Sequence, residues 1–278
     1  MKRLTLLAVT VSALLTVGGT LAAGSAGAAS TLPTLSLSVT ASSITVSGAT
    51  QSGGVNVVST ATGVKEASVI LALLKPGATF DEVEAAIQKA HGDTNAVDKY
   101  GSLVFDAEVT PGHSTEAQTY LQPGQYVAVL PGGEGQGSKA HALFTVTAAA
   151  APVALPTPEA TIRSIEFAFR GPSTLHDGEL VRFENEGYLV HMDVAAPVKN
   201  MKAAKQAIKD LRAGNEKAIE KLISGPPVGF AGPVSHEAFQ QETITAKPGI
   251  YVEVCFMGTQ DGRSHTVLGM ERIIHIVK

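Results

Sequence analysis

The sequence has no tryptophan, and aromatic residues fill only 5% of its 278 positions, which with abundant Gly, Val and Thr and short apolar segments between turn residues points to mostly β structure. It has a single cysteine, Cys255, which rules out an internal disulfide framework. Basic residues are outnumbered, 21 against 25 acidic ones, and no basic stripe exists to displace phosphate counterions, which argues against nucleic acid as a partner. There is no Gly-rich phosphate loop, nucleophile elbow or dinucleotide fingerprint. Beyond the N-terminal segment no stretch is long and apolar enough to span a bilayer.

What is present begins with an export signal. Lys2 and Arg3 precede an apolar run from Leu4 to Val17, small residues follow, and Ala26-Gly27-Ala28 reads as a cleavage motif. Residues 1–28 are therefore read as a signal peptide, and no cysteine follows the apolar run to carry a lipid anchor. The mature chain is expected to be soluble and extracytoplasmic, in a periplasm or at a cell surface. Loss of Lys2 and Arg3 leaves 19 basic residues against 25 acidic ones, a net charge of −6. A mature chain of about 250 residues predicts two domains. Ala148-Ala149-Ala150-Ala151-Pro152 and Pro156-Thr157-Pro158 mark a stiff linker over 147–159 that separates residues 29–146 from 160–278. Residues 29–41, rich in Ser, Thr and Ala, read as a loose arm.

The two pieces read as one module used twice. Gly54 to Gly63 lies beside Gly178 to Gly187, with both glycines in register, and Pro123-Gly124-Gln125-Tyr126 matches Pro248-Gly249-Ile250-Tyr251. Each pattern is a strand bounded by turn residues. Further strands are predicted at Val64 to Leu74, Tyr188 to Ala195, Ala142 to Thr147 and Arg272 to Val277. Each module also carries a short helical insertion. In the first, Thr79-Phe80-Asp81-Glu82 has capping-box spacing, Phe80, Val83, Ile87 and Ala90 share a face, and Gly92 ends the helix. In the second, Met201 to Ala213 and Glu216 to Ile223 form two helices broken at Gly214-Asn215. Both insertions are expected to cap a sheet. Many short strands with distant pairings imply a mainly β chain of two Greek-key β-sandwiches.

The residues that carry chemistry lie in the second module. Cys255 closes a strand, His265 and Met270 follow, and His191 stands upstream. Two imidazoles, a thiolate and a thioether are the donor types of a mononuclear blue-copper site. Taken alone, Cys255 fits a buried structural thiol equally well, and His191 a hydrogen-bonded strand-end histidine.

On these residues both modules resemble cupredoxins, the second over most of 160–278. The resemblance implies ligands at His191, Cys255, His265 and Met270, one copper per chain, and electron transfer with a redox partner protein or copper handling. Two features depart from the familiar pattern. Nine residues separate Cys255 from His265, a loop long enough to let His265 swing away. Glu253 stands on the strand face of Cys255, where it must reach solvent, a cation or the metal. In the first module Ala67 and Leu130 take the places of His191 and Cys255, and only His141 remains, so that module is read as a structural or docking copy.

The competing reading is a metal-free cupredoxin-like binding or structural module at the cell surface. An oxidase or reductase ranks below both, because neither module supplies further His clusters. His113, His176 and His236 read as exposed loop residues, and His275 as surface-facing between Ile274 and Ile276. The basic helix bearing Lys199, Lys202, Lys205, Lys209 and Arg212 reads as a solvated face.

Overall fold

A computed structural model describes residues 31–64, 67–132 and 140–278; the signal-peptide reading falls outside the described residues. Residues 31–146 hold β1 (Thr34–Val39), β2 (Ile44–Gly48), β3 (Gly53–Ala61), β4 (Ala67–Leu74), helix α1 (Phe80–Lys89), β5 (Gly101–Val109), β6 (Ser114–Leu121), β7 (Gly124–Leu130) and β8 (Ala140–Val146). Residues 160–278 hold β9 (Ala160–Ile165), β10 (Ala168–Arg170), β11 (Thr174–His176), β12 (Leu180–Asn185), β13 (His191–Val198), helices α2 (Met201–Arg212) and α3 (Glu216–Glu220), β14 (Val228–Val234), β15 (Phe239–Thr243), β16 (Gly249–Val254) and β17 (Glu271–Val277).

Both halves are β-sandwiches. In the N-terminal half the order β2-β1-β3-β6 faces β5-β4-β7-β8, and in the C-terminal half β10-β9-β12-β15 faces β11-β17-β16-β13-β14. Each half fills its sandwich with its own apolar cluster: Leu35, Leu37, Leu71, Phe105 and Tyr126 in one, Ile162, Phe183, Tyr251, Ile274 and Ile276 in the other. The outer sheets join where β6 meets β15, through the pair Gln118 and Gln241.

The expected loose arm is instead a core strand. β1 runs parallel to β3 and buries Leu35, Leu37 and Val39, because its Ser and Thr residues alternate with apolar ones and occupy the other face. The connection 147–159 is extended and docked, with Gly54 N donating to Val153 O (2.7 Å) and Gln241 Nε2 donating to Pro156 O (3.0 Å).

The capping box at Thr79 and Glu82 forms, and α1 packs Phe80 and Val83 onto Ala72, Leu74 and Val127 of the sheet. α2 lays Ala204, Ala207 and Leu211 on Val198, Val252 and Val254. This is the face of β16 opposite to Glu253, so α2 caps the sheet without covering the interior face that leads to Cys255. His275 is half-buried between the fully buried Ile274 and Ile276 of the opposite strand face.

The two halves meet where β5 packs on β14. Leu103 N donates to Ser235 Oγ (2.9 Å), and Ser235 N donates to Leu103 O (2.8 Å). Beside them Asp106 is buried under Gly232, where a Cβ would stand 2.4 Å from the carboxyl carbon. Burial pushes its carboxyl up to about 7, against the hydrogen bond from Ser68. Ser68 Oγ donates to this carboxyl group, lying 2.6 and 2.7 Å from its two oxygens. A carboxyl raised on folding contributes stability below its unfolded value, and that stability is lost as pH rises from about 4 through 7. The wild-type chain should accordingly lose up to about 4 kcal/mol between pH 4 and pH 8 from this group. Asp106→Asn should flatten that part of the profile, as urea unfolding at a series of pH values would measure.

Candidate metal centre

Three strand ends deliver the donors to one end of the C-terminal sandwich. His191 opens β13, Cys255 follows the last residue of β16, and Met270 precedes β17; all three are fully buried. His265, also fully buried, comes from the loop between the last two strands. Cys255 Sγ lies 3.7 Å from His191 Nδ1 and 3.4 Å from His265 Nδ1, and the two imidazole rings are 4.8 Å apart. Among the described residues this is the one group of three His, Cys, Asp or Glu side chains that converge closely enough to share an ion. Two donors about 2.0–2.3 Å from a common ion, at an angle between tetrahedral and trigonal, stand about 3.5–3.8 Å apart, so the spacing fits. Met270 sits in the same buried cluster, its N donating to His265 O (2.9 Å) and its O accepting from Cys255 N (3.3 Å).

The long loop does not leave His265 free. His265 N donates to Met257 O (2.8 Å), and Gly258 pairs with Ser264, so residues 258–264 form a closed excursion and His265 is delivered next to Met257. Within the excursion Thr259 N donates to Arg263 O, Arg263 pairs with Asp261, and Gly262 takes the positive φ of +79° that its turn needs. After His265 the amides of Leu268 and Met270 both return to its carbonyl. Phe167 stands edge-on to the His265 ring at 5.2 Å and covers it.

Burial keeps all three donors neutral. It pushes the Cys255 thiol up to about 12, opposed by the Met192 N–H that donates to Sγ (3.4 Å). It pushes His191 down to about 3, helped by the charge of His265, and His265 down to about 4, opposed by Asp93. Two neutral imidazoles already have the protonation state a metal requires, and only the thiol has a proton to lose. Both imidazole Nε2 atoms are buried without hydrogen-bond partners.

Behind the donors, two residues along each strand, lies a layer of charge: Asp193 follows His191, Glu253 precedes Cys255, and Arg272 follows Met270. Glu253 thus takes the cation among its three alternatives. Its fully buried carboxylate pairs with Arg272 directly across the ladder, Nη2 to Oε1 being 3.3 Å, and Arg272 also donates to Gly171 O (3.0 Å). Asp193 is equally buried, with neither oxygen in a hydrogen bond of ordinary geometry. Burial, then the neighbouring Glu253 charge, holds its carboxyl well above the usual range.

Reading by residue type missed several participants. Asp193 and Arg272 obey the same period of two that singled out Glu253. Gly187 is a further one: a Cβ there would stand 2.8 Å from His191 Nε2 and 2.7 Å from Glu166 N, and the backbone atom cannot give way. Gly187→Ala should therefore displace the imidazole and weaken metal binding about 10-fold or more, measured by competition with a chelator of known affinity.

His141, the remaining candidate of the N-terminal half, is exposed and packs on Phe80 with ring centroids 4.4 Å apart. His113, His176 and His236 are exposed as expected; His236 stacks on Tyr188 and its Nδ1 lies 2.9 Å from Gly187 O.

No protein-family model and no curated protein matches the chain. Among solved structures, auracyanin B is similar over 45% of this chain and 93% of its own, at 15% identity and a TM-score of 0.29. An auracyanin from Roseiflexus castenholzii is similar over 42% and 95%, at 17% identity and a TM-score of 0.26. A Cu-containing nitrite reductase from Thermus scotoductus is similar over 88% of this chain and 68% of its own, at 13% identity and a TM-score of 0.26. The chain folds into two β-sandwiches of facing sheets, with His191, Cys255, His265 and Met270 supplied by strand ends and the last interstrand loop of the second.

Proposed function

We propose that this is an exported protein that binds one copper ion through His191, Cys255 and His265, with Met270 as a weaker fourth ligand, and uses it to carry single electrons. The observation that supports this most is the convergence of one sulfur and two imidazole nitrogens at 3.4 and 3.7 Å in a buried pocket. A soft thiolate favours Cu(I), imidazoles accept Cu(II), and copper held here supplies one-electron exchange. The chain's own residues hold the donors in place: Met192 N–H orients the sulfur, the closed excursion 258–264 fixes His265, and Gly187 leaves room for His191. Phe167 and the surrounding apolar cluster keep water away.

The fixed ligand loop favours carrying electrons over handing copper on, which would require the donors to part. The N-terminal half has the same strand order apart from the edge strand β11, lacks the donors among its described residues, and is read as a second copy of the module, separated by 147–159. The test is to load the mature chain with one equivalent of copper and cycle it with an inorganic one-electron reductant and oxidant. The account predicts one electron per chain, reversibly, with the metal retained. Release of the copper on reduction would overturn the electron-carrier reading in favour of copper handling.

A further inference from the structure

Nothing in the donor set explains why a half without metal donors is packed against the metal centre, and one buried amide there joins the two. Asn95 sits in a 3₁₀ turn over Thr94–Lys99 of the N-terminal half, 8% exposed. Its Oδ1 accepts from Val190 N (2.7 Å), the residue before His191. Its Nδ2 donates to Gly258 O (3.2 Å), where the excursion that delivers His265 begins. The second Nδ2 hydrogen goes to Asp93 Oδ1 (2.7 Å), which also takes Asn95 N (2.9 Å). A carboxylate can only accept, so Asp93 fixes which end of the amide faces which segment. Around this contact Val190 packs fully buried among Phe80, Val83 and Val97 of the N-terminal half, and Met257 touches both that cluster and the core containing Cys255.

We propose that Asn95 is a positioning residue of the metal centre, through which the N-terminal half clamps the His191 strand and the Cys255–His265 loop into a single geometry. An amide is the side chain for this task, because it accepts from one segment while donating to another; aspartate would lose the donor to Gly258 and leucine both bonds. Deletion leaves Val190 N buried and unpaired and frees Gly258 O from the amide that holds it, which favours opening of the loop. The proposal rests on the copper reading for its purpose, but its geometry is testable in metal-free protein.

The experiment compares Asn95→Ala, Asn95→Asp and Ser235→Ala in the full mature chain. Ser235→Ala removes another buried bond of the same interface, to Leu103 N, together with the longer bond from Ser235 Oγ to Asp98 Oδ1 (3.4 Å), and leaves both bonds of Asn95 to Val190 and Gly258 in place. The first readout is the reaction rate of the buried Cys255 thiol with an uncharged disulfide reagent in metal-free protein, and the second is Cu(II) affinity. Asn95→Ala is expected to raise the thiol rate about 10-fold or more and to lower copper affinity by about 10- to 100-fold. Asn95→Asp keeps the acceptor for Val190 but sets an oxygen against Asp93 Oδ1 and Gly258 O, so its thiol rate should also rise above wild type, and it supplies the answer if the alanine variant fails to fold. Ser235→Ala should lower the melting temperature while leaving both readouts within about twofold of wild type. A wild-type thiol rate in Asn95→Ala, or an equal rise in Ser235→Ala, would overturn the clamp. Absence of copper binding by the wild-type chain would instead remove the functional reading, with the thiol rates still deciding whether Asn95 holds the loop.

Discussion

Cys255→Ser is expected to weaken copper binding on the order of a thousandfold, while metal-free stability changes by only about 1–2 kcal/mol. The asymmetry follows from what the sulfur does in each state. Without metal it is a neutral buried thiol whose backbone donors, Met192 N–H and Met257 N–H, can also serve a hydroxyl. With metal it is the thiolate that gives the set its soft character. Because burial pushes the thiol up to about 12, coordination must displace a proton. Copper affinity of the wild type should therefore rise by about 10-fold per pH unit through the neutral range, and this slope should vanish in Cys255→Ser. Calorimetric titration in two buffers of different ionisation enthalpy would count the proton directly.

The second large effect is on stability and needs no metal. Arg272→Met should destabilise the protein by about 3–5 kcal/mol, the usual result of stripping the partner from a buried ion. Glu253 has no exposed atom to hydrate, and Asp193 beside it can offer only a second carboxyl. Without Arg272 the Glu253 carboxyl is raised further on folding, so the deficit should be smallest at acid pH and grow as pH rises through its folded value. Arg272→Met combined with Glu253→Gln should recover a large part of the loss, since the uncompensated charge is then absent. Urea unfolding of the metal-free single and double variants gives these values.

How much of this could be read from the sequence depends on the range of the interactions. Thr79 with Glu82 and the alternation after Gly249 are local patterns, and both appear as a capping box and as β16. His191, Cys255, His265 and Met270 stood out because their residue types are chemically specific; the structure brings the first three together, and Met270 lies in the buried cluster that holds Cys255. The arm that proved to be β1 was obscured by composition: its Ser and Thr residues look like linker until their alternation with Leu35, Leu37 and Val39 is counted. Loop length misled for a different reason. Nine intervening residues suggest freedom for His265, but the pairing of Gly258 with Ser264 removes seven of them from the path.

Asn95 had no sequence signal at all. Its partners, Val190 and Gly258, lie 95 and 163 residues away, and only the packing of one half on the other brings them within reach. The same holds for Asp106 and Gly232, whose fit is a property of the β5–β14 interface and not of either strand.

The most direct test of the proposed copper centre is to titrate residues 29–278 with Cu(II) and follow visible absorption. The account predicts an intense blue band that saturates at one copper per chain and is missing in Cys255→Ser. A chain whose Cys255 thiol is confirmed reduced, and which shows no such band at saturating copper, would contradict it.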